Sequence, residues 1–324
     1  MRLAALTTLR LGGPAERLVE AHTEEDLVAA VRERPALVLA GGSNVVIADE
    51  GVPGTVVLVR TRGIERDGTR LVVQAGEPWD DVVAYTVREG LQGFECLSGI
   101  PGSTGATPIQ NVGAYGQDVS ETVEWVRVYD RETDRVETLA AAECGFGYRT
   151  SRFKYRDRWT VLAVSFVLRE SELSGPLRYG EVQRALGDRA PLADVRETVL
   201  KLRRGKGMVI DPADPDSVSA GSFFTNPILT REEFEAIPGS PPAFPEPDGR
   251  VKTSAAWLIE RAGFSRGYGE GRAGISTKHT LALVNRGGAT TAELMDLARE
   301  IAAGVYERFG ITLTPEPVLV GHSW

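Results

Sequence analysis

Apolar and polar positions change period several times along the chain, and each change marks an element. Thr23 caps a helix over Glu24–Glu33, which the Arg34-Pro35 pair ends because a residue before proline is pushed out of the helical region. Leu37–Ala40 is a short apolar run, read as a buried strand leading into Gly41-Gly42-Ser43-Asn44, and Thr55–Val59 is a second strand. Leu71–Gly76 reads as another. Pro78 then opens a helix with Trp79, Val82, Val83, Thr86 and Val87 on one face, closed by Gly90. Beyond a glycine-rich stretch, Val123–Tyr129, Arg135–Leu139 and Val161–Leu168 carry strand patterns.

Residues 171–200 read as a connection to the basic run Lys201–Lys206, followed by an Asp/Pro loop at 211–216 and a Pro-rich surface loop at 238–248. Trp257–Ala262 is helical and Leu281–Asn285 a strand. Thr290 and Glu293 form a capping box before a long helix bearing Leu294, Leu297, Ile301 and Val305 on one face, and Pro315–Val320 returns as a last strand. The pattern divides the chain at 1–60, 61–200 and 201–314, with 315–324 as a closing strand, and the fold class is α+β.

With 324 residues the chain exceeds the size at which one core stops growing, which agrees with two or three domains. A net charge of −8 argues against nucleic acid or an anionic membrane as partner, while a local cradle for a small anion stays open. The two cysteines, Cys96 and Cys144, form no CxxC, and the three histidines have no metal-ligand spacing, so no metal site or disulfide framework is expected. The first residues lack a cleavage-site pattern and no apolar run nears the ~20 residues of a membrane span, so a cytoplasmic location is expected.

Five segments carry candidate chemistry. Gly41-Gly42-Ser43-Asn44 follows a strand as a phosphate-approaching turn would, although taken alone a plain turn is the favoured reading, and it matches neither GxGxxG nor a P-loop. Gly99–Gly116 holds five glycines, two prolines and no charge, which suits a rigid backbone surface against a large, partly apolar ligand. Phe146–Lys154 holds Tyr148 and Arg149, whose meaning depends on what faces them. Gly221-Ser222-Phe223-Phe224 places a hydroxyl that serves as a proton donor if neighbours hold it, and it is no GxSxG elbow. Lys201–Lys206 is either the basic end of a helix or a diphosphate clamp.

In order along nearly the whole chain, Thr7–Ala15, Gly41–Asn44, Gly99–Gly116, Gly147–Lys154, Ser219–Pro227, Ser254–Glu260, His279–Asn285 and Pro315-Glu316-Pro317 resemble the UDP-N-acetylenolpyruvylglucosamine reductases, the MurB family. Leu177–Glu181 resembles the tyrosine-bearing loop of its type I members. The resemblance implies a two-part FAD-binding region of the vanillyl-alcohol-oxidase (PCMH) type, residues 1–60 and 61–200, and a C-terminal α+β substrate-binding domain. It places non-covalent FAD on Gly41, Gly42, Ser43, Asn44, Gly99, Ile100, Pro101, Gly102, Ser103, Gly105, Ala106, Gln110, Asn111, Gly113, Ala114 and Tyr115. It puts Tyr148, Tyr179, Lys206 and Asn226 on substrate, and Ser222, Arg149 and Glu316 at the reacting centre. Thr225 stands where many members carry Lys, and Pro317 departs from the residue that others have after the Glu.

The implied reaction is reduction of UDP-N-acetylglucosamine enolpyruvate by NADPH through FAD. Hydride goes from the flavin to C3, Arg149 and Glu316 stabilise the developing charge, and Ser222 protonates C2. A monomer is expected. The rival expectations are a flavin oxidase of the same fold and a non-catalytic flavoprotein that binds a nucleotide sugar.

Overall fold

The computed structural model describes all 324 residues and groups them into two compact units. The first holds Met1, Ala15–Gly42 and Val52–Gly205; the second holds Arg2–Pro14, Ser43–Gly51 and Lys206–Trp324. The chain therefore changes unit inside the Gly41–Asn44 turn, between Gly42 and Ser43.

In the first unit, Ala15–Ala21, Val52–Val59 and Leu37–Leu39 form a parallel sheet in that spatial order. Helix α1 (Glu24–Arg32) begins at a capping box in which Thr23 accepts the Asp26 N–H, and it buries Leu27 and Val31. A five-stranded antiparallel sheet follows, ordered Arg135–Ala140, Val123–Asp130, Trp159–Val167, Arg70–Gln74, Ile64–Asp67. Its central strand, Trp159–Val167, is buried at every residue but the last, an apolar run interrupted only by Thr160 and Ser165, as suits a strand covered on both faces. Helix α2 (Trp79–Arg88) buries Trp79, Val82, Val83 and Thr86. Trp79, Phe94 and Phe166 form an aromatic knot with ring centres 4.8–5.9 Å apart.

The stretch 171–200, expected as a connection, contains helix α3 (Gly180–Leu186) and most of helix α4 (Leu192–Gly205). Only four residues of α4 are buried, Leu192, Val195, Val199 and Arg203. Such a narrow stripe on a charged helix gives little apolar periodicity to read. Val195 and Val199 of that stripe sit in a small core with Cys96, Leu177 and Val182.

The second unit has two three-stranded antiparallel sheets: Ser219–Ser222, Ala282–Asn285, Ala273–Ile275, and Ile228–Leu229, Val251–Thr253, Ala243–Pro245. The Pro-rich loop thus contains an edge strand, Ala243–Pro245, where a proline without an N–H is tolerated. Val318–Val320 pairs in parallel with Val45–Ile47. After helices α5 (Arg231–Glu235) and α6 (Ala255–Arg261), α7 (Thr291–Phe309) starts at the expected Thr290–Glu293 capping box and buries Leu294, Leu297, Ile301 and Val305. Gly310 ends it in the left-handed region at φ 68°. No helix is long and apolar enough to cross a membrane.

Candidate active site

The first unit brings the two glycine-dense segments together. A Cβ on Gly41 would lie 2.5 Å from Gly102 Cα, so the two turns meet backbone to backbone with no room for a side chain. The loop is laid against the start of α2: Thr104 N–H donates to Glu77 O (2.8 Å), Gly105 N–H to Ala75 O (2.8 Å) and Trp79 N–H to Gly102 O (3.0 Å). A Cβ on Gly105 would meet that of Ala75 at 2.5 Å. Glycine at position 105 is therefore a packing requirement.

Further along, the loop is held in costly backbone conformations. Asn111 (φ 47°), Tyr115 (φ 50°) and, opposite them, Arg149 (φ 51°) occupy the left-handed region that suits glycine, at ~1–3 kcal/mol each. Buried Asn111 is fixed by both ends of its amide, Nδ2 donating to Gly147 O (3.1 Å) and Oδ1 accepting from Ser120 N–H (3.1 Å). The Arg149 guanidinium donates to Gly113 O and to Asn111 O (3.4 Å), lies 5.3 Å from the Tyr148 ring centre and 3.7 Å from Asp118 Oδ1. Ser151 donates to Ile109 O (2.6 Å) and Lys154 to Arg149 O (2.9 Å). Thus Gly147, Arg149 and Ser151 dock on the loop carrying Asn111 and Gly113, and Tyr148 packs against Arg149. The Tyr115 ring stands edge-on to Tyr179 at 5.0 Å, and Tyr179, half-exposed, immediately precedes α3.

Of the basic run, Lys201 to Arg204 end α4 as a dipole-complementing cluster would. Arg203 is buried, its pKa lowered by that burial against the pull of Tyr115 and Asp80. Lys206 begins the second unit, and Gly207 behind it (φ 66°) leaves its Cβ position only 2.9 Å from Asp216 Cβ.

The second unit brings Ser222 and Glu316 together. Ser222 ends a strand opposite Ala282, after an irregularity at Gly221 (φ 73°). The next residue, Phe223, donates its N–H to Leu281 O (2.7 Å) and accepts the Glu316 N–H (2.8 Å), and Phe224 bridges to Pro315. Asn44 joins this arrangement: its Nδ2 donates to Glu316 O (3.4 Å) and its carbonyl accepts the Val318 N–H (3.0 Å). Asn226 Oδ1 accepts the Ala255 N–H at the start of α6 (3.0 Å).

Comparison with known proteins agrees with this inventory. Residues 15–139 match the model described as an FAD binding domain, and 212–320 that of the UDP-N-acetylenolpyruvoylglucosamine reductase C-terminal domain. The chain is 60% identical over 343 aligned positions to UDP-N-acetylenolpyruvoylglucosamine reductase of Thermobifida fusca (strain YX), covering 98% of this chain and 96% of that protein. The chain belongs to the UDP-N-acetylenolpyruvoylglucosamine reductase family. The Streptomyces coelicolor (strain ATCC BAA-471 / A3(2) / M145) member is 58% identical over 98% of this chain and 89% of its own. The crystal structure of the Thermus caldophilus reductase superposes with a TM-score of 0.72 at 27% identity, covering 99% and 97% of the two chains. The fold is therefore α+β, an FAD-binding domain followed by the reductase family's C-terminal domain.

Two groups beside these segments have no site role assigned from the sequence. Thr8 donates its hydroxyl to Ser219 O (2.7 Å), tying the N-terminal segment to the strand that ends at Ser222. Asp80, in the first turn of α2, accepts the Gly99 N–H (2.5 Å) and a forked pair of bonds from Arg196 (2.7 and 2.8 Å). Asp80 reads in sequence as one more solvated acid at a helix start. Its only signal is the neighbouring Trp79, which fixes that turn against the core.

Proposed function

We propose that the chain reduces UDP-N-acetylglucosamine enolpyruvate to UDP-N-acetylmuramate with NADPH, a step of peptidoglycan-precursor synthesis. The observation that carries this is the 60% identity over 98% of the chain to a reductase of that name. The FAD-binding match over 15–139 supports the cofactor, and the residues fit it. Gly41 has no room for a side chain against the backbone of Gly102, so bare backbone lines the cradle there.

On this reading residues 1–60 and 61–200 form the flavin-binding region, 201–314 the substrate-binding domain, and 315–324 closes the fold. Gly41–Asn44 and the residues Gly99–Gly102, Ser103, Gly105, Ala106, Gln110, Asn111, Gly113, Ala114 and Tyr115 hold FAD non-covalently. Held by these residues, FAD would supply the hydride-transfer chemistry between NADPH and C3 of the enolpyruvyl group. Ser222 gives its hydroxyl proton to C2 and is reprotonated from solvent. Arg149 and Glu316 stabilise the charge developing toward the carboxylate, worth ~3 kcal/mol for one well-placed donor. Tyr148, Tyr179, Lys206 and Asn226 hold the substrate, Lys206 as part of the diphosphate clamp.

The net charge of −8 supports an enzyme that engages neither nucleic acid nor an anionic membrane, and a monomeric, cytoplasmic state completes the reading. Steady-state oxidation of NADPH by the purified FAD-loaded protein tests the reading. NADPH consumption must depend on enolpyruvate, and consumption sustained by oxygen alone marks an oxidase instead.

A further inference from the structure

The turn Gly99-Ile100-Pro101-Gly102 opens the glycine-dense loop, and its two ends are gripped from one side by consecutive residues of α2. The Trp79 N–H holds Gly102 O at 3.0 Å, and the Asp80 carboxylate holds the Gly99 N–H at 2.5 Å. Gly99 has φ 72°, a left-handed conformation that glycine adopts freely. Asp80 is itself immobilised: both its oxygens accept from the Arg196 guanidinium at 2.7 and 2.8 Å, a planar forked pairing that only an arginine makes. Arg196 lies in α4 one turn from Val199, whose side chain is fully buried, so the clamp is anchored in a packed helix.

We propose that Asp80 is a positioning residue for the flavin: clamped by Arg196, its carboxylate sets the Gly99 amide and so the opening turn of the FAD loop. This rests on reading Gly99–Gly116 as the flavin contact. Burial pushes the Asp80 carboxyl upward, but the Arg196 hydrogen bonds, the Gly99 amide and the charges of Arg196 and Arg203 outweigh it, leaving its pKa below the ordinary value. The group is an anion at neutral pH, as the clamp requires. Its position in the first turn of α2 adds the favour of the helix dipole.

The test uses full-length protein stripped of flavin and titrated with FAD, read by quenching of flavin fluorescence. Asp80→Ala weakens FAD binding about tenfold, the worth of one charge-assisted hydrogen bond at a half-buried site. Asp80→Asn, which keeps an acceptor facing Gly99, stays within about threefold of wild type. The double variant Asp80→Ala/Arg196→Met regains thermal stability over Asp80→Ala, because no cation is left behind, yet not its FAD affinity. An Asp80→Ala protein that melts lower but binds FAD as wild type does would reduce Asp80 to an ordinary ion pair and overturn the proposal.

Gly41→Ala separates this from the underlying reading. If it too leaves FAD affinity unchanged, the loop is not the cradle; if it weakens binding and Asp80→Ala does not, only the clamp fails. Should Asp80→Ala not fold, hydrogen exchange at the Gly99 amide of the wild-type protein decides. Slow exchange in the flavin-free state supports the clamp, and exchange at the rate of an open loop overturns it.

Discussion

Replacing Gly41 by alanine tests the meeting of the two glycine turns. The added Cβ would lie 2.5 Å from Gly102 Cα, 2.9 Å from Gly102 C and 3.2 Å from Ser103 N. Ordinary carbon–carbon contact is ~3.5–4 Å, so the turns must part by about 1 Å. Backbone on both sides cannot swing away as a long side chain does, and such overpacking costs ~1–3 kcal/mol of stability. A displacement of that size also breaks at least one amide contact to an anionic ligand, worth ~1.5–3 kcal/mol. Gly41→Ala is therefore expected to weaken FAD binding ~10- to 100-fold. Titration of flavin-free protein with FAD, beside thermal melts of the same samples, measures both effects. Unchanged FAD affinity with a lowered melting temperature would make the contact purely structural; both unchanged would refute the packing argument itself.

Ser222→Ala should lower kcat ~10²–10⁴-fold while FAD affinity and the rate of flavin reduction by NADPH stay as in wild type, since only the proton at C2 is withdrawn. Stopped-flow separation of the two half-reactions checks this, and an equal loss in both would remove the assignment. Thr8→Val deletes the 2.7 Å bond to Ser219 O and should cost ~1 kcal/mol in denaturant unfolding, with kcat reduced and flavin reduction untouched. Burial pushes the thiol of Cys96 from the ordinary 9.0 up to about 12, and that of Cys144 up to about 11. The native state keeps both protons while the unfolded chain gives them up above pH 9, so their contribution is intact below that pH and is lost progressively as pH rises toward 11. The denaturant midpoint should fall over that window, and iodoacetamide at about pH 8 should label neither thiol until the chain unfolds. Rapid labelling of native protein would contradict the burial.

Elements with a strong apolar signature are legible in the amino-acid order itself. The caps at Thr23 and Thr290, the α2 face of Trp79, Val82, Val83 and Thr86, and the run Val161–Val167 all stand where periodicity and capping chemistry put them. Elements whose stability comes from neighbours are not. The strand Ala15–Ala21 is buried only at its ends, and α4 offers the core a stripe that includes an arginine. The candidate site is legible as segments, because glycine density and missing charge are local properties. Its contacts are not: Arg149 on Gly113 O and Glu316 on Phe223 O join residues 36 and 93 positions apart, and no spacing rule marks either. The Asp80–Arg196 clamp spans 116 positions and involves ordinary surface residue types, so nothing in the sequence marks the pairing.

Anaerobic absorption spectroscopy of the purified protein addresses the central claim most directly. The account predicts a yellow protein whose flavin band bleaches on adding NADPH and returns, without oxygen, on adding UDP-N-acetylglucosamine enolpyruvate. A flavin that bleaches but stays reduced until air is admitted, or a protein that takes up no FAD, would contradict it.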